Sequence, residues 1–205
     1  MRSRKKSYTE DILLNSPYII KEPQKLTIKK PVHLEIGTGK GSFLVGMSEK
    51  YPDINFVGME KEPSIVAMAA KLFSEKELKN TILIHGSANN LTNYFEPKSI
   101  HRIYLNFSDP WPKSRTAKRR LTYGYFLDIY KELLVDDGQL HFKTDNTNLF
   151  DFSLLEFKSM GWKTLYNTRD LHNEDFHLSG ENVMTEYEKK FSDMGQVIYR
   201  GVFAK

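Results

Sequence analysis

The 205 residues are 40% apolar and 13% aromatic, enough to bury one sizeable core and too much for a disordered chain. The chain has no cysteine, which removes disulfides, thiolate metal sites and cysteine nucleophiles. No apolar run approaches the ~18–20 residues of a membrane span, and Met1–Lys6 lacks the apolar stretch of a signal peptide, so a cytoplasmic protein with no membrane partner is expected.

The net charge is only +4, but its cations are clustered. Arg2, Arg4, Lys5 and Lys6 form one group, Lys113 to Arg120 a second, and Lys21, Lys25, Lys29 and Lys30 a looser third. Clustered cations displace counterions from a polyanion, so nucleic acid becomes a candidate partner.

In chain order, residues 1–30 show no clean period and read as a basic arm with one short helix. From residue 31 to 205 a single domain follows, with no internal repeat or linker. Val32 to Ile36 predicts a strand, ending at Gly37-Thr-Gly-Lys-Gly41. Ser42 to Tyr51 has helical spacing and is closed by Pro52. Ile54 to Met59 predicts a second strand. Pro63 then opens a helix whose inward face would carry Ile65, Met68, Ala69, Leu72 and Phe73. Thr81 to Ile84 predicts the third strand, a short helical piece near Asn90 to Phe95 follows, and Arg102 to Phe107 the fourth. An amphipathic helix runs from Tyr123 to Leu134, and a turn at Asp136-Asp-Gly138 precedes a fifth strand, Gln139 to Lys143. Leu149, Phe152 and Leu155 mark another helix, stopped by Gly161. Trp162 to Tyr166 and Gln196 to Phe203 complete about seven strands, the last an edge-type strand.

Strands alternating with helices imply an α/β fold with right-handed crossovers and a mostly parallel, twisted sheet covered on both faces. Ligands of such sheets bind at the carboxyl ends of the strands. Gly37 to Gly41, Glu60, Ser87 and Asp109 all fall there.

In Glu35-Ile-Gly-Thr-Gly-Lys-Gly41, glycines allow positive φ and a close approach of backbone to ligand. Glu60, at the end of the next strand and about 20 residues on, suits the hydroxyls of a ribose. The G-x-G-x-G spacing is neither the dinucleotide fingerprint nor a phosphate loop. Glu35, a carboxylate just before the turn, would repel a pyrophosphate but suits a cationic amine and sulfonium. S-adenosylmethionine has both charges.

The second informative stretch is Tyr104-Leu-Asn-Phe-Ser-Asp-Pro-Trp-Pro-Lys113 through Arg120. Pro110 and Pro112 forbid a continued strand and fix a turn. A carboxylate, an indole and then Lys113, Arg115, Lys118, Arg119 and Arg120 suit a site that handles a polyanion's base, the cations tracking phosphates. Trp111 is either a platform for a base or, the reading favoured here, a core indole locking the turn. His172 and His177 lack a third ligand at metal-like spacing and read as loop residues, so no metal is expected.

From Val32 to Phe203 the chain resembles the bacterial tRNA (guanine-N7-)-methyltransferases. The resemblance rests on Tyr104 to Lys113 with Lys118-Arg-Arg-Leu-Thr122, on His141-Phe-Lys-Thr-Asp145 and on Asn182-Val-Met-Thr-Glu-Tyr-Glu188. It implies a Rossmann-like class I methyltransferase sheet with the last strand antiparallel, S-adenosylmethionine as donor, and the variable-loop guanine of tRNA as target. It also implies cofactor contacts at Glu35, Gly37, Gly39, Glu60 and Asp109, with Ser87, Ala88 or Asn89 where the family usually has an aspartate near the adenine. Substrate contacts are implied at Lys113, Asp145, Thr185, Glu186, Tyr187 and Glu188, and Asp109 is the expected catalytic residue. Nothing in the pattern chooses between a monomer and a homodimer. A methyltransferase for small molecules or proteins would have no use for the basic stripe at 113–120. An RNA-binding protein without catalysis would not bind the cofactor, and a nicotinamide dehydrogenase would need the other glycine spacing.

Overall fold

The structure, a computed structural model, describes residues 8–28, 31–173 and 182–205. Arg2, Arg4, Lys5, Lys6, Lys29, Lys30 and His177, singled out above, lie outside the described residues. Among the described residues eight strands form one sheet: β1 (Ile19–Ile20), β2 (Val32–Ile36), β3 (Asn55–Glu60), β4 (Thr81–His85), β5 (Ile100–Asn106), β6 (Leu134–Thr144), β7 (Lys163–Thr168) and β8 (Tyr199–Ala204). Their order is β1-β4-β3-β2-β5-β6-β8-β7. The pairs from β1 through β6 are parallel, and β8 runs antiparallel to both neighbours. The chain reverses its strand order at β2, which leaves a crevice between the carboxyl ends of β2 and β5.

Six helices accompany the sheet among the described residues: α1 (Tyr8–Asn15), α2 (Ser42–Lys50), α3 (Pro63–Glu75), α4 (Gly124–Leu133), α5 (Thr147–Ser159) and α6 (Glu186–Asp193). On one face, Leu34, Ile103, Leu105, Leu140 and Phe142 pack with Phe126, Tyr130, Leu149, Phe150 and Phe157 of α4 and α5. On the other, α2 and α3 contribute Phe43, Leu44, Val66 and Phe73 to a second core with Phe56 and Leu83. Each such buried side chain stabilises by about 1.5–3 kcal/mol over its exposed state.

The expected elements form, with five differences. The last strand, β8, expected at an edge, instead lies between β6 and β7, and β7 is the edge. α1 and β1 occupy the stretch read as a basic arm: β1 extends the sheet beside β4, and Ile12 and Leu13 pack on the second core. The inward face of α3 is rotated by about one position from the expected one, burying Val66, Ala67, Ala69, Ala70 and Phe73, because its alanines let the helix lie close to the sheet. Asp136-Asp137-Gly138 does not end an element but bulges within β6, whose register jumps from Ile100↔Leu134 to Arg102↔Gln139. Gly138 permits it, since a Cβ there would meet the Val135 carbonyl at 2.9 Å. Finally, α6 follows Thr185, where a capping box satisfies two backbone N–H groups.

Near β5, β6 and β8 the second face of the sheet is polar. His33, Glu35, Tyr104, Asn106, His141, Lys143 and Arg200 are all buried there. Burial, aided by the nearby Arg102 charge, pushes the His33 imidazole down to about 3 and His141 well below the usual range, so both rings are neutral at pH 7.

Candidate active site at the strand carboxyl ends

The turn after β2 is shaped by its glycines. Gly37, Gly39 and Gly41 have φ of 78°, 55° and 85°, which a side chain would resist. The N–H groups of Gly37 and Thr38 both donate to the Met59 carbonyl (2.8 and 3.2 Å), fastening the turn to β3. Gly41 also makes room for α3, since a Cβ would meet the Phe73 ring at 2.6 Å.

Glu35 lies beneath this turn, 2% exposed. Thr38 Oγ1 donates to one of its carboxylate oxygens at 2.6 Å and Asn106 Nδ2 to the other at 2.8 Å. Burial pushes its pKa up to about 7, although both hydrogen bonds and the Lys143 charge oppose the shift. Glu35 therefore changes charge near neutrality, under the loop where a cation was expected. Glu60, at the end of β3, is pinned: its oxygens accept from the N–H groups of Gly39 (3.2 Å), Lys61 (2.8 Å) and Glu62 (3.0 Å).

These elements wall a cavity of about 950 Å³. Gly37, Glu60, Ser87, Ala88, Asn89 and Asp109 line it, as do Lys118 and Arg119. Asp109 is exposed and meets Lys61 Nζ at 3.6 Å, a pair too solvated to contribute much. Ser87 caps the 3-10 turn Ala88–Asn93 through Asn89. Sequence reasoning missed Phe107, Ser108, Tyr123, Tyr125 and Phe126 as lining residues; they sit beside recognised motifs but have no chemistry that announces them. The Ser108 hydroxyl is buried against the cavity without a hydrogen-bond partner among the described residues.

Glu35 and Gly39 do not line the cavity; they act from below, on Thr38 and Asn106 and on Glu60 respectively. Lys113, Arg115 and Arg120 also stand outside its lining. Trp111 is not the expected core indole. It is half-buried at the cavity wall, with the Arg119 guanidinium 4.9 Å over its ring. The turn it was expected to lock is held by Arg120, whose Nε and Nη2 donate to the carbonyls of Pro110 and Trp111 at 3.0 Å each. Arg120 is thereby occupied with its own chain rather than presented to a phosphate.

Of the expected substrate residues, Asp145 and Thr185 to Glu188 gather beyond Phe107, and Lys113 is not brought to them. The Phe107 ring lies 4.8 Å from that of Tyr187, which stacks on Phe191 at 4.2 Å. The Tyr187 hydroxyl donates to Asp145 at 2.9 Å, and desolvation together with that carboxylate pushes its pKa up to about 12. Thr185 caps α6, and Glu186 meets Lys40 at 3.4 Å. Glu188 is fully buried. Its carboxylate engages Lys143 Nζ, Asn182 Nδ2 (2.8 Å) and His172 Nε2 (3.2 Å). Lys143 also donates to Asn182 Oδ1 and the Val183 carbonyl, and burial holds its pKa below the usual lysine range despite Glu188. So His172 has a defined partner, and Lys143, overlooked in the sequence, anchors the segment 182–188. The sequence carried little signal for it, since Lys143 continues an alternation of polar Gln139 and His141 with apolar Leu140 and Phe142.

Residues 29–201 match a family described as putative methyltransferases. Over 98% of its length the chain is 46% identical to a protein of Geobacillus sp. (strain WCH70), covering 94% of that protein, and 45% identical to one of Bacillus subtilis (strain 168), covering 97% of it. Both are named tRNA (guanine-N(7)-)-methyltransferase. The chain belongs to that family. Solved structures agree on the fold at much lower identity. An antibiotic-related methyltransferase superposes with TM-score 0.64 at 13% identity, over 91% of this chain and 99% of that one. A SAM-dependent methyltransferase of Aquifex aeolicus gives 0.60 at 12%, over 95% and 88%.

Proposed function

We propose that the protein transfers a methyl group from S-adenosylmethionine to N7 of a guanine in the tRNA variable loop. The observation that carries this reading is the junction at Phe107. There a cavity walled by glycine turn, Glu60 and Asp109 is continuous, through one side chain, with the Tyr187–Asp145 pair. The names of the relatives support the same reaction.

The residues present fit the cofactor. Glu60 is held in place by three backbone donors and offers acceptors to a ribose. Ser87, Ala88 and Asn89, in the cavity lining, would hold the adenine, and the unpartnered Ser108 hydroxyl would supply a polar contact inside the cavity. Glu35, whose burial holds its pKa near 7, would be drawn to its charged form by a bound cation. When bound, S-adenosylmethionine supplies an electrophilic methyl on a sulfonium, and guanine N7 has an in-plane lone pair, so in-line displacement needs no base. The task of the chain is positioning and electrostatic support. Asp109 opposes the positive charge that develops on the purine. Asp145, oriented by Tyr187, accepts from the amino edge of the base, and Lys113 holds its carbonyl or a phosphate. Glu188 acts from behind, fixing Thr185 and Tyr187 through α6 and Lys143. Arg115, Lys118 and Arg119 track phosphates.

The test is transfer of labelled methyl to unmodified tRNA, followed by mild reduction and aniline cleavage. Cleavage at one variable-loop guanine is expected; label without cleavage would move the reaction to another atom. Asp109→Ala should lower turnover by about a thousandfold with little change in melting temperature, its side chain being exposed. An active variant refutes the role.

A further inference from the structure

The turn carrying Asp109 stores backbone strain. Phe107 and Trp111, on either side of it, have φ of 52° and 40°, in a region that bulky residues avoid. Such geometry persists only where neighbouring contacts over-determine it. Among the described residues the one side chain that hydrogen-bonds to this turn's backbone is Arg120. Its guanidinium spans the carbonyls of Pro110 and Trp111 at 3.0 Å each and lies 4.2 Å over the Phe152 ring of α5. Arg119 and Lys118, by contrast, face the cavity, and Arg115 is exposed.

We propose that Arg120 is a positioning residue for methyl transfer: it clamps the strained turn to α5 and so sets where the Asp109 carboxylate stands. The clamp uses a fork of two parallel donors plus a flat cation over a ring, which lysine reproduces poorly. This rests on the reading that Asp109 faces the guanine. A clamp and a phosphate contact predict opposite kinetics. Loss of a phosphate contact raises KM for tRNA and lowers its log–log salt dependence by about 0.7–0.9. Loss of the clamp moves the carboxylate and lowers kcat, where a misplacement of ~1 Å costs about a hundredfold.

The experiment compares Arg120→Ala, Arg120→Lys and Arg115→Ala for kcat and KM across salt concentrations, and reads the turn by fluorine NMR of fluorotryptophan-labelled protein. The chain has two tryptophans; Trp111→Phe assigns the signal at the turn, and the buried Trp162 signal reports whether the core is folded. Expected are a shifted or broadened Trp111 signal, an unmoved Trp162 signal, a fall in kcat of about a hundredfold for Arg120→Ala, partial recovery in Arg120→Lys, and an unchanged salt slope. An unmoved Trp111 signal with a reduced salt slope would overturn the clamp. A moved Trp111 signal with unchanged kcat would keep the clamp and overturn the role of Asp109. If Arg120→Ala fails to fold, the same readouts in Arg120→Lys decide.

Discussion

The glycine turn after β2 and the proline turn after β5 stand side by side at the switch point of the sheet, and both need positive φ. The first obtains it from Gly37, Gly39 and Gly41, residues for which that conformation costs nothing extra. The second imposes it on Phe107 and Trp111 and relies on a guanidinium from outside to hold it. A turn whose shape is written into its own residues presents bare backbone, at Gly37, to the cavity. A turn held from outside brings large aromatic and acidic side chains, Phe107, Asp109 and Trp111, to the cavity wall.

Gly41→Ala should break the self-sufficient turn most severely. It combines a φ of 85° with a Cβ 2.6 Å from the Phe73 ring, and the strain and overpacking together should cost about 3 kcal/mol in denaturant unfolding. Gly37→Ala, whose Cβ meets nothing within 4 Å, should cost only about 1 kcal/mol from φ alone. Equal costs would show that φ, not contact with α3, governs the turn.

Glu35 ties this turn to pH. Its folded pKa, near 7, is above its ordinary value of 4.5, because burial favours the neutral acid. Its contribution to stability is therefore complete below about pH 4.5 and is lost as pH rises toward 7. Melting temperature of the cofactor-free protein should fall across that window, and Glu35→Gln should flatten the fall. A wild-type curve with no such step would show that Glu35 is already ionised. The smallest effect is expected from Ser87→Asp. Aspartate keeps the cap on Asn89 and adds a stronger acceptor, which should tighten cofactor binding about threefold to tenfold by calorimetry, as one charge-assisted hydrogen bond would.

How far each turn was legible follows the same division. The strands, the glycine spacing, Glu60 and Asp109 are local patterns, and the structure has them where expected. The partners of Glu35 are not local. Asn106 comes from another strand, two residues past Tyr104, the register partner of Glu35. Five cations between Lys113 and Arg120 look alike in sequence, yet Arg120 turns back onto its own chain while Lys118 and Arg119 face the cavity. Composition counts charges without telling which are already engaged. Glu188 shows the same limit. It was read as a substrate contact from its motif, but a lysine from β6 and a capping box take up its carboxylate.

The placement of β8 between β6 and β7 has a consequence during synthesis. Among the described residues β7 pairs only with β8, and β6 needs β8 to cover its outer edge. β7 ends at Thr168 and β8 begins at Tyr199, so the ribosome takes about two to six seconds to bridge them at ~5–20 residues per second. Until β8 docks, the emerging chain carries an open edge on β6 and then an unpaired β7, both able to capture a neighbouring chain. Crowded polysomes making this protein should therefore depend on chaperones at one late and brief stage of elongation.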